Sequence, residues 1–178
     1  PHLGLDLMGK TLGLLGLGKL GEAVAKVGVA FGMDVIAWSQ NLTDERAAEA
    51  GARRVEKDEL FATADVISIH LVLSDRSRGL VGARELGLMK PDSFLINTSR
   101  GPIVDEDALL DALTNKRIGG AGIDVFGVEP LPADHPIRSL DNTVLTPHMG
   151  YVTRDNLAAG YSQAVENIEA FVKGAPVR

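Results

Sequence analysis

Between Gly16 and Gly21 the chain reads G-L-G-K-L-G, a spacing suited to holding phosphate. Gly16 permits a sharp turn, Gly18 lets the backbone approach a pyrophosphate with no Cβ in the way, and Gly21 permits close packing of a helix on a sheet. A helix opening at this point turns its unpaired N–H groups and partial positive charge toward an anion. Lys19 and Leu20 fall in its first turn, and the Lys19 ammonium is available for an outer contact. Such turns also serve plain chain reversal, so the phosphate reading rests on the strand before the turn and the helix after it. One apolar run later, a carboxylate normally accepts hydrogen bonds from the adenosine ribose of NAD. Ser39 stands there instead, followed by Gln40 and Asn41, and no Arg comes immediately after to pair with the extra phosphate of NADP. NAD is the expected cofactor, with NADP left open. Asp44 and Arg46 read as helix capping and solvated charge.

Three more segments carry reactive side chains: N-T-S-R-G at Asn97 to Gly101, D-V-F-G-V-E-P-L-P at Asp124 to Pro132, and T-P-H-M-G at Thr146 to Gly150. Taken singly, Arg100 could cap a strand or bridge to Asp105, Glu129 could be a loop charge, and His148 could be a turn residue. In this order, and with the glycine-rich turn, the segments resemble the D-isomer-specific 2-hydroxyacid dehydrogenases over most of the chain. The resemblance implies that Arg100, Glu129 and His148 match the family's catalytic residues. His148 would give a proton to a carbonyl oxygen as hydride reaches its carbon, and take the proton back in reverse. Glu129 would pair with the imidazole and fix its tautomer, and Arg100 would bind the substrate carboxylate through its planar fork. The resemblance also implies that Asp124 lies near the nicotinamide carboxamide, with Thr98 and Gly150 lining that end. Asp124 equally reads as a strand-end residue satisfying loop N–H groups. His70 stands where the family commonly carries His-x-Pro-Leu-Thr, but Val72 replaces the Pro. His2 and His135 show no partner pattern, and no histidine has metal-ligand spacing, so no metal is expected.

These groups need a scaffold that brings distant loops to one edge. Thr11 to Leu15, Asp34 to Trp38, Asp65 to Val72, Ser93 to Thr98, Gly119 to Val125 and Thr143 to Thr146 read as strands. Lys19 to Phe31, Thr43 to Ala50, Glu106 to Asn115 and Asn156 to Val172 read as helices. Apolar strands with little strict alternation, separated by helices, indicate a parallel sheet covered on both faces. The fold expected is α/β, a doubly wound parallel sheet of the Rossmann-like, dinucleotide-binding kind. In such a sheet ligands bind beyond the carboxyl ends of the strands, where each motif falls. Ser74 to Lys90 mixes Arg76, Arg78 and Arg84 with apolar residues, and reads either as an interface or as a short helix docked on its own sheet.

Hydrophobic residues make up 45% and charged residues 24% of 178, which suits one packed globular core. A net charge of -6 argues against a nucleic-acid surface, and no run is long and apolar enough for a membrane span. With no cysteine there are no disulfides, and a cytoplasmic setting is expected. The chain opens at Pro1 rather than Met and reads as a fragment, with residues 1–178 one dinucleotide-binding domain and no internal boundary. The family, by the resemblance, closes a second domain over the crevice, so on this reading the substrate-binding domain is absent from the chain, which alone would bind dinucleotide yet be inactive or impaired in turnover. The function implied is hydride transfer between a nicotinamide cofactor and a small D-2-hydroxy or 2-keto acid, in a homodimer. Glyoxylate, hydroxypyruvate, phosphoglycerate and lactate-type acids all fit. The alternative is a non-catalytic dinucleotide sensor or corepressor-like domain, which would need no proton-transfer trio.

Overall fold

The computed structural model describes residues 4–175; His2 and the last three residues lie outside them. Contacts divide the chain into two compact units, residues 1–147 and 148–178. No change of composition marks that division, which is why the sequence shows no boundary there.

Among the described residues the first unit carries seven strands: β1 (Thr11–Leu15), β2 (Asp34–Trp38), β3 (Arg53–Arg54), β4 (Val66–Ile69), β5 (Phe94–Asn97), β6 (Gly120–Ile123) and β7 (Thr143–Leu145). They form one parallel sheet in the order β3-β2-β1-β4-β5-β6-β7. The direction of winding reverses between β1 and β4. This is the switch point at which such sheets open a crevice for ligands. The helices are α1 (Lys19–Ala30), α2 (Asp44–Glu49), α3 (Lys57–Thr63), α4 (Ala83–Leu88) and α5 (Glu106–Thr114), with 3-10 turns at Gly101–Ile103 and Pro136–Ser139. The expected doubly wound fold is present.

Alternation along β1 shows how both faces are covered. Leu12 and Leu14 join a core with Ala25 of α1, while Leu15 joins the opposite core with Leu60 and Phe61 of α3 and Leu109 and Leu113 of α5. Small residues let α1 lie close to the sheet. A Cβ on Gly28 would stand 2.7 Å from the Leu12 side chain. Each fully buried large side chain in these cores contributes roughly 1.5–3 kcal/mol. Thr43 and Asp105 cap α2 and α5 by accepting from the N–H groups of Arg46 and Ala108 at 3.2 and 3.0 Å.

Within Ser74 to Lys90 the apolar side chains are turned inward. Val81, Leu86 and Met89 are buried in the chain's own core and α4 packs between α3 and α5, so the docked-helix alternative is the one realised. The second unit is built on α6 (Arg154–Val172), whose Thr153 cap accepts from Asn156 N–H at 3.1 Å. No residue of α6 is buried. Among the described residues, no helix is long and apolar enough to cross a membrane.

Candidate active site

The glycine-rich turn sits where β1 hands over to α1, beside the start of the loop after β4. Gly16 has φ +103°, and a Cβ there would stand 2.7 Å from the His70 carbonyl oxygen. A Cβ on Gly21 would stand 2.2 Å from the Gly16 carbonyl oxygen. Only glycine satisfies either position. Gly18 differs, because a Cβ there meets nothing within 4 Å. It is the N-cap of α1, and no side chain caps the first N–H groups of the helix there. A cradle with glycine at its rim and uncapped donors behind suits a pyrophosphate. Gly18, Lys19 and Leu20 are exposed at its mouth.

Below the turn, His70 is held by a 2.9 Å hydrogen bond between its Nε2 and Ser68 Oγ, and burial lowers its pKa from the ordinary 6.5. It serves here as packing for the turn.

At the carboxyl end of β5, buried Asn97 organises the loop that follows. Its Nδ2 donates to the Arg100 carbonyl at 3.0 Å and its Oδ1 accepts from Ser99 N–H at 3.1 Å. Ser99 Oγ donates in turn to the Leu71 carbonyl. Thr98 and Arg100 are thereby left exposed, with the Arg100 guanidinium donating to the Ser99 carbonyl at 2.6 Å. Gly101 then passes so close to the next loop that a Cβ would stand 2.1 Å from the Phe126 carbonyl carbon. That contact locks the Arg100 loop against the loop carrying Glu129. Glu129 is fixed by its own loop, its Oε1 accepting from Phe126 N–H at 2.8 Å.

Asp124 ends β6 almost fully buried. Its backbone N–H donates to the Asn97 carbonyl at 3.0 Å and its carboxylate accepts from the Thr146 hydroxyl, tying β5, β6 and the end of β7 together. His148 begins the second unit, in the left-handed region at φ 54°, with Tyr151 edge-on at 6.1 Å between ring centroids. Gly150 is exposed two residues on. His135 does have a partner, since its Nε2 meets Glu106 Oε1 at 3.0 Å; the link spans 29 residues and leaves no local pattern.

Ser39 follows directly on β2 and borders a cavity of about 340 Å³ together with Gln40, Asn41, Ser74, Arg76 and Ser77. The arginine absent after Ser39 in the sequence arrives from elsewhere: Arg76, on the loop after β4, has Nη1 3.5 Å from Gln40 Oε1. No local spacing links residues 39 and 76. Only the adjacency of β1 with both β2 and β4 brings those loops together.

A parallel sheet with a glycine-lined helix N-terminus at its switch point defines a dinucleotide-binding domain of the Rossmann class. The chain belongs to the D-isomer specific 2-hydroxyacid dehydrogenase family, as its NAD-binding domain, whose pattern matches residues 1–150. A glyoxylate reductase of Aeropyrum pernix is 44% identical over 97% of this chain and 51% of its own. The phosphoglycerate oxidoreductase of Vibrio cholerae superposes with a TM-score of 0.91 at 40% identity, over 98% of this chain and 56% of that one. An acyclic imino acid reductase in complex with NADPH and D-Arg superposes at 0.81 with 35% identity, covering 98% and 55% of the two chains. The D-isomer specific 2-hydroxyacid dehydrogenase of Lactobacillus delbrueckii, in its NAD complex, does so at 0.82 with 28% identity, covering 99% and 57%. The chain spans about half the length of the relatives named here.

Proposed function

We propose that residues 1–178 are the dinucleotide-binding and proton-transfer part of an oxidoreductase that interconverts small D-2-hydroxy acids and 2-keto acids. The observation that carries this is the lock between Gly101 and the Phe126–Gly127 backbone, which sets Arg100 and Glu129 on abutting loops at the carboxyl ends of β5 and β6. A bound nicotinamide supplies or accepts the hydride. Gly16, Gly18, Gly21 and the N–H groups behind Lys19 and Leu20 hold its pyrophosphate, and Ser39 faces the adenosine ribose. Thr98, Asp124 and Gly150 are the residues assigned to the nicotinamide end.

In reduction, Arg100 takes the substrate carboxylate by its two-pronged N–H face and orients the ketone. His148 donates its proton to the ketone oxygen as charge develops there, and takes it back in the oxidative direction. Glu129 is assigned the role of the carboxylate that would fix the imidazole tautomer and keep its proton-bearing nitrogen aimed at the substrate. The same chemistry fits glyoxylate, hydroxypyruvate and other short 2-keto acids. The protein acts as a homodimer in the cytoplasm.

The test is reduction of glyoxylate and hydroxypyruvate by the full-length protein and its variants. His148→Ala should lower kcat by roughly 10²–10⁴-fold, the usual contribution of a positioned general acid, with a far smaller change in dinucleotide affinity. Arg100→Ala should act mainly on KM. Wild-type turnover by His148→Ala would remove the proposed acid.

A further inference from the structure

The cavity at the end of β2 has a chemical bias that the glycine-rich turn does not. Its polar wall is made of Ser39, Gln40, Asn41, Ser74 and Ser77; among the described residues its one charged side chain is Arg76, and no carboxylate lines it. Arg46 is paired with Glu22 and Glu49, and Arg54 with Glu56 and Asp44. Among the described residues Arg76 has no carboxylate partner, and its only hydrogen bond is the long one to Gln40.

Arg76 is also well placed mechanically. It rides on a tight turn in which Ser77 N–H and Arg78 N–H both donate to the Ser74 carbonyl, at 3.1 and 2.9 Å. Buried Ser77 pins that turn, accepting from Ser74 N–H at 2.8 Å and donating to the Val72 carbonyl at 2.7 Å. The guanidinium is exposed, but its backbone is not free to wander.

An adenosine ribose held beside Ser39 would meet this wall with its hydroxyl groups. A bare 2′-hydroxyl does best with a carboxylate acceptor, which is missing. A 2′-phosphate is repelled by such a carboxylate and gains from a guanidinium, whose fork matches its oxygens. We propose that Arg76 is the ligand for a 2′-phosphate, and that this chain takes the phosphorylated dinucleotide NADP(H) in preference to NAD(H). This rests on the dinucleotide reading of the cleft and names which dinucleotide fills it.

The chain provides its own reporter, because its single tryptophan, Trp38, lines the same cavity. Quenching of Trp38 by 2′,5′-ADP and by 5′-AMP measures the adenosine end alone, and NADPH against NADH measures the whole cleft. The phosphorylated ligand of each pair should bind roughly 10- to 100-fold tighter, the size expected of one charge-assisted pair, and the preference should shrink as salt rises. Arg76→Gln should collapse both ratios toward one, and Ser39→Asp should invert them by restoring the carboxylate. Ratios near one in the wild type, with NADH bound, would overturn the role of Arg76 and leave the dinucleotide cleft intact. A loss in Arg76→Gln that is equal for both members of a pair would overturn it too, and would mark stacking on adenine instead. Failure to bind either dinucleotide would overturn both the inference and the reading beneath it.

Discussion

Gly16, Gly18 and Gly21 look alike in the sequence and do different things. Gly16 and Gly21 are glycines because the protein leaves no room for a Cβ, whereas nothing in the protein opposes one at Gly18. Gly21→Ala should therefore cost about 1–3 kcal/mol of folding stability, as expected for a methyl forced onto backbone. Gly18→Ala should cost at most about 1 kcal/mol, through the poorer N-cap, while weakening dinucleotide binding more than Gly18's structural role can explain. Urea unfolding beside NADH titration separates the two, and an equal stability loss at both positions would contradict the assignment. His70 adds a pH dependence. Burial lowers its folded pKa below the ordinary 6.5, so between those two values the unfolded chain binds the extra proton and the native state does not. Stability through this group should be full above pH 6.5 and decline as pH falls toward the lowered folded value. His70→Gln should flatten that part of a melting-temperature profile. The glycine spacing and the Arg, Glu and His motifs were legible because each keeps its signal within a few residues. Arg76 and the His135–Glu106 pair were not, since their partners are 36 and 29 residues away and meet only through the fold.

The strand and helix cores followed from apolar periodicity, and the misses are the shortest segments. β3 is two residues, Arg53 and Arg54, that pair with β2 without any apolar signature. α3 and α4 span seven and six residues, too few to show a helical stripe, and their helicity comes from packing Leu60, Phe61 and Leu86 into the core. β4 ends at Ile69 rather than continuing to Val72, because the chain leaves the sheet there to pass beneath Gly16, and Val72 ends up 84% exposed. The polar residue closing β5 has an outsized effect on its surroundings. Asn97 is 1% exposed and satisfies the Ser99 N–H and the Arg100 carbonyl from one side chain. Asn97→Ala leaves both without that partner and should cost roughly 1–3 kcal/mol. The same change should loosen the Arg100 loop, which amide hydrogen exchange over residues 98–101 would report. Unaltered protection in that loop would show that the Gly101 lock suffices without Asn97.

At the scale of the molecule, the alternation of strands and helices foretold a parallel sheet wound on both faces, but not the surface it leaves for other chains. Of the two readings of Ser74 to Lys90, the docked helix is the one realised, with Val81, Leu86 and Met89 spent on the chain's own core. α1 is different. Its inner stripe of Gly21, Ala25 and Gly28 is buried on the sheet, while Val27, and Phe31 at its C-cap, are 54% and 55% exposed on its outer side one helical turn apart. Large apolar side chains aligned on one exposed face are costly in water and mark a contact with another surface. A two-fold pairing of α1 with α1 of a second copy would cover them with one self-complementary patch. The proposed homodimer therefore has a specific prediction attached. Sedimentation should show a dimer, and Val27→Asp with Phe31→Asp should convert it to a monomer that still unfolds cooperatively, since neither side chain is in either core. A wild-type chain that sediments as a monomer would remove the homodimer, and a double variant that stays dimeric would move its interface off α1.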